Sequence, residues 1–196
     1  YTDEQAVNIV LNVFESFHPK FRDYAEIVFN KNHVDAEIRK GKMSGAFCST
    51  ITPKLTPYVL LNYDGMYRDI STMAHEFGHA IHSICSSNLP IAVSQAPLPL
   101  AETASVFAEM LLNEKLAKEM TEQERSILLA EQIDDMYATI MRQSYFTLFE
   151  IDAHNKVIEN NANIDNISSL YQKNLQDQFG NSVIVSDDFK WEWTYI

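Results

Sequence analysis

Apolar residues recur at helical spacing over most of the chain. Ala6, Val7, Val10, Leu11, Val13, Phe14 and Phe17 fall three and four apart, the pattern of one buried helix face. Thr2-Asp-Glu-Gln5 ahead of them has the form of a capping box. A first helix is therefore predicted up to Pro19, and a second from Pro19 to about Phe29. Residues 39–50 then read as a basic glycine loop entering a strand, and residues 56–63 as a second short strand, bounded by Pro57 and by Asp64-Gly65. Two such strands predict a small antiparallel layer packed on helices. Helical spacing resumes over 67–86, gives way to a loop over 87–99, and returns over 101–120. A second capping box, Thr121-Glu-Gln-Glu124, opens a long helix. Its stripe of Ile127, Leu128, Ile133, Met136, Tyr137, Ile140, Met141, Tyr145, Leu148 and Phe149 is expected in the core. A last helix is predicted over 167–179, with Gly180 placed to end it. The expected fold is mainly α with a minor β component (α+β).

Composition narrows the picture. The chain has 196 residues, 46% hydrophobic and 21% charged, which fits one ordinary folded domain over 1–196. A chain of this size buries about 70% of its unfolded surface and needs no disulfide. Fifteen basic and 27 acidic residues give a net charge of −12, which argues against a nucleic-acid or anionic-membrane partner. No apolar run reaches the length of a membrane span and no secretory leader opens the chain. The two cysteines, Cys48 and Cys85, suit a reduced, cytoplasmic protein and are expected to be small buried hydrophobes. The chain begins at Tyr1 without a methionine and stops abruptly after Trp191-Glu-Trp-Thr-Tyr-Ile196, so it reads as a piece of something longer.

The chemistry lies in His75-Glu76-Phe77-Gly78-His79. Residues four apart share a helix face, so His75 and His79 can bind one ion through imidazole nitrogens at about 2.0–2.1 Å. Glu76 stands one step round the helix, beside the ion rather than on it, where a base for an acidified water belongs. A catalytic zinc needs a third ligand and an open position. Glu102, at the start of the next helix, is the best candidate, since the loop between the helices lets one cross the other. Asp69 and Glu109 are candidates to orient the ligands from behind. His82 is read as a wall residue, because a fourth ligand would close the site. The bland readings are a chance motif on a metal-free helical interaction module, and acids placed for capping or solvation. The amphipathic helix, small Gly78 and the downstream glutamate favour the metal.

These residues resemble the oligoendopeptidase F branch of the thimet-oligopeptidase-like zinc peptidases. The matching segments are Gly41-Lys-Met-Ser-Gly-Ala-Phe47, Pro57-Tyr-Val-Leu-Leu-Asn-Tyr63, Asp69-Ile-Ser-Thr-Met-Ala-His-Glu-Phe-Gly-His-Ala-Ile-His82 and Ala101-Glu-Thr-Ala-Ser105. The resemblance implies a zincin-like helical catalytic domain with one Zn2+ per chain, held by His75, His79 and Glu102, with Glu76 activating water. It implies short peptides as substrates, laid along an edge strand at Gly45, Ala46 and Phe47 by main-chain pairing. It also implies an upstream helical region and downstream oxyanion donors that nothing here matches. The piece is therefore expected to expose apolar surface that favours self-association, and to bind zinc while being catalytically incomplete.

Overall fold

Thr2 starts the first helix, α1 (Asp3–Phe17): its hydroxyl accepts the Gln5 N–H at 3.3 Å, and the Gln5 side chain accepts the Thr2 N–H at 2.9 Å. His18 ends α1 and caps α2 (Pro19–Asn30), its Nδ1 accepting the Lys20 N–H while Pro19 fills a first-turn position that needs no donor. The computed structural model describes residues 1–159 and 162–195. It divides into two compact units, Tyr1–Thr121 and Glu122–Ile196.

In the first unit, α1, α2, α3 (Tyr67–Cys85) and α4 (Leu98–Glu119) enclose a core with Phe14, Val28, Ile70, Phe77 and Leu112 fully buried. Strands β1 (Val34–Asp35), β2 (Phe47–Ser49) and β3 (Tyr58–Leu60) form a small sheet in the order β1-β3-β2. The β2·β3 pairing is antiparallel, as the sequence predicts, but β1 adds a parallel neighbour to β3. At two residues, β1 is too short to leave a periodicity. The loop between β1 and β2 is tied down by Lys42, whose side chain is 3% exposed. Its ammonium donates to the carbonyls of Asp35, Glu37 and Leu61 and to the Asp35 carboxylate. Asn62 Nδ2 donates to the carbonyls of Met43 and Gly45, at 3.0 and 2.7 Å.

Helix α4 begins at Leu98, three residues before the predicted start; Pro99 is accommodated in a first turn, where it breaks no hydrogen bond. In the second unit, the helix predicted from Thr121 is interrupted. Helix α5 (Glu122–Tyr137) passes through a π turn, Ala138–Arg142, into α6 (Gln143–Ile158). The stripe expected in the core is mostly exposed: Leu128 and Phe149 are buried, whereas Ile127, Ile133, Met136 and Ile140 are open. Periodicity identifies an apolar face but does not supply its cover. The second unit's core is small, formed where Phe149 meets Ile167, Tyr171 and Leu175 of α7 (Ile164–Phe179). Among the described residues, no helix is long and apolar enough to cross a membrane.

Candidate metal centre

Helix α3 presents His75, Glu76 and His79, and its crossing with α4 decides what they face. The crossing is close. A Cβ on Gly78 would stand 2.6 Å from the Ala104 carbonyl oxygen and 2.7 Å from the Ser105 Cα. Backbone touches backbone there, so the first turns of α4 lie directly over the motif. Glu102 is thereby delivered to both histidines, with Oε2 3.2 Å from His75 Nε2 and 3.3 Å from His79 Nε2. The three donor atoms lie within 4.8 Å of one another. A tetrahedral ion with bonds of 2.0–2.1 Å has its ligand atoms roughly 3.3 Å apart, so the two measured separations suit one ion among the three groups.

Each donor is held from behind. Ser105 Oγ donates to Glu102 Oε2 at 2.7 Å. Glu109, two turns along α4 from Glu102, takes the His75 Nδ1 through its carboxylate and accepts from the Ser71 hydroxyl at 3.4 Å. This bond on Nδ1 turns Nε2 toward the ion position and raises the basicity of the ring. Asp69 lies elsewhere: its carboxylate accepts the N–H groups of Asp64 and Met66, at 3.0 and 2.9 Å, and so caps α3. His82 stands on the wall of the same cleft.

Burial and charge separate the two glutamates. Glu76 is 6% exposed, and burial, reinforced by Glu102 and Glu109, lifts its pKa above the usual carboxylate value despite His75. The backbone of Cys48, on β2, acts in the opposite direction but does not cancel the rise. For Glu102, partial burial is outweighed by the Ser105 hydroxyl and by His79 and His75, which hold its pKa low. Burial depresses His79, whereas at His75 it is overcome by the carboxylates, Glu109 first. One carboxylate is thus kept anionic against two imidazoles, and the other is kept proton-hungry beside them.

The motif opens into a cleft of about 560 Å³ bounded by residues 46–50, by α3 and by the loop before α4. The strand itself is Phe47–Ser49, so Ala46 borders the cleft just ahead of it. Gly45 sits in the preceding turn at φ +82°, a backbone that suits glycine. Cys48 is half-buried, and burial with the Glu76 charge pushes its thiol up to about 12. Cys85, expected inside, is exposed instead, because it sits in the last residue of α3 as the helix leaves the core. Sequence reasoning passed over Ser105 and Ser71. A serine one turn after a glutamate carries no ligand signature.

The family profile of Peptidase family M3 matches residues 6–196. The chain belongs to that family. Oligoendopeptidase F (chromosomal) of Lactococcus lactis subsp. cremoris is 32% identical over 98% of this chain. The match covers 32% of that relative, so the chain spans about a third of the length of the curated relatives it matches. Such similarity places this M3 chain in the oligoendopeptidase F branch. Among solved structures, a Chlamydophila abortus protein assigned as a peptidase is 34% identical over the whole of this chain, with a TM-score of 0.77, and the match covers 33% of it. PZ peptidase A, solved with an inhibitor, has a TM-score of 0.75 over 93% of this chain and 33% of its own length. At 17% identity it speaks for the fold alone.

Proposed function

We propose that this chain is the zinc-binding catalytic core of an endopeptidase that hydrolyses internal bonds of short peptides. The observation that carries the reading is the delivery of one Glu102 oxygen to both His75 and His79, beside a buried Glu76 that is not among the donors. His75, His79 and Glu102 would hold one Zn2+ per chain, with Glu109 and Ser105 orienting the donors. When bound, the ion supplies Lewis acidity, polarising a carbonyl and making water a stronger acid. Glu76 does the proton work. Its carboxylate takes a proton from the attacking water and returns it to the departing amide nitrogen. The edge strand β2 offers main-chain groups to an extended peptide.

Because the chain spans about a third of its relatives, we assign zinc binding to the chain itself and peptide hydrolysis to the whole protein. Two unpaired cysteines support a cytoplasmic setting. The exposed apolar stripe of α5 and α6 supports self-association, which light scattering of the isolated chain would report as a species above monomer mass. The mechanism is tested by Glu76→Gln in the whole protein. The nearly isosteric amide should leave bound zinc unchanged and abolish hydrolysis of short peptides; activity within a few-fold of the parent would remove Glu76 as the base.

A further inference from the structure

Main-chain hydrogen bonds fix which groups of β2 face the cleft. Val59 and Leu61 give their N–H groups to the carbonyls of His33 and Asp35, both at 2.8 Å, so these positions of β3 face β1. Tyr58 and Leu60 must then face β2, where they are opposite Ser49 and Phe47. Cys48, opposite Val59, forms the pair that exchanges no ladder bonds, and its N–H and C=O turn to the open edge. By the same alternation Ala46 and Thr50 are the neighbouring outward positions. Both line the cleft.

These three outward residues are not equally available. The Thr50 carbonyl is taken by Gln95, whose Nε2 donates to it at 3.2 Å from the loop between α3 and α4. Thr50 is also fastened through its hydroxyl to Ser83 Oγ on α3, at 2.6 Å. What is left for a partner is the amide and carbonyl of Ala46 and of Cys48 and the amide of Thr50, so Thr50 is the one outward position whose acceptor is taken.

We infer that Gln95 sets the length of peptide main chain that pairs with β2: by standing on the Thr50 carbonyl, where a peptide N–H would donate, it ends the strand's row of free acceptors at Cys48. Gln95 is a specificity-determining residue under this assignment, which rests on the peptide-binding function proposed above. Recognition through main-chain groups reads no side chains, so the limit falls on extent rather than sequence. Removing the Gln95 amide releases one more acceptor, about 6.8 Å along the strand from Cys48.

The test uses the zinc-loaded chain and a ladder of N-acetylated, C-amidated alanine-rich peptides of three to seven residues, with binding followed by calorimetry. For the wild type, affinity should stop rising at an intermediate length. In Gln95→Ala the plateau should move to a longer peptide, with a roughly three- to tenfold gain for that peptide, the worth of one hydrogen bond. Gln95→Glu, which cannot donate to a carbonyl, should shift the plateau in the same way. Gln95 is exposed, so both variants should fold. Identical length profiles for the wild type and both variants would overturn the role of Gln95 while leaving peptide binding intact. Absence of binding by every protein, with zinc retained, would overturn the peptide-binding function and this inference with it.

Discussion

Helices α3 and α5 both carry an apolar stripe, and the two units of the molecule treat those stripes differently. Along α3, Ile70, Met73, Ala74, Phe77, Ala80 and Ile81 are buried against neighbouring elements. Along α5, Leu128 alone is buried, and Ile127, Leu129, Ile133 and Met136 stay exposed. The candidate site sits entirely on the packed unit. The reason is geometric: donor atoms can be held near 3.3 Å only by side chains whose helices cannot slide. Gly78 is where α3 and α4 are locked.

Tryptophan offers a way to break this comparison. Both tryptophans, Trp191 and Trp193, lie in the second unit, so their fluorescence follows that unit. Phe77→Ala has the largest expected effect. The ring is fully buried and stacked on Phe29 with centroids 4.4 Å apart, and its loss should cost about 3–5 kcal/mol. Denaturant unfolding followed by helical circular dichroism should show the loss, with the tryptophan transition unmoved. A shared shift would mean that the two units unfold as one. Zinc should act on the same side: at 100 times its dissociation constant it should add about 2.7 kcal/mol to the first unit and leave the tryptophan transition in place.

Gly78→Ala is expected to cost about 1–3 kcal/mol, because the new methyl meets backbone that cannot yield cheaply. It should also weaken zinc binding by moving Glu102 off the two histidines, a coupling that a zinc titration would read. Unchanged zinc affinity would show that Glu102 is positioned by something other than the crossing. Smallest of all is Ile133→Ser in the second unit. The side chain is 65% exposed, and thermal unfolding should place the variant within about 0.5 kcal/mol of the parent.

The sequence was legible where local chemistry decides. Thr2 with Gln5 marks a helix start through bonds made within one turn, and Pro19 marks the boundary between α1 and α2, where the structure adds the His18 cap. The spacing of His75 and His79 marks a shared face because a helix has one period. It was less legible where distant parts of the chain decide. The parallel strand β1 exists because Val34 and Asp35 meet Val59 and Leu60, and nothing in two residues announces that. Glu109 shares a helix face with Glu102 by spacing, but its bond to His75 Nδ1 comes from the crossing of α3 with α4. The stripe of α5 and α6 failed as a guide to burial because apolar period says which side would be covered, not that anything covers it.

The account stands on one claim about coordination, that His75, His79 and Glu102 together hold a single zinc ion. Its most direct test is metal analysis of the chain purified without added zinc and dialysed against a weak chelator, alongside His79→Ala. The wild type should carry one zinc per chain and the variant essentially none, because an ion left with His75 and Glu102 alone has lost one of its three protein ligands. Stoichiometric zinc in His79→Ala, or none in the wild type, would contradict the assignment.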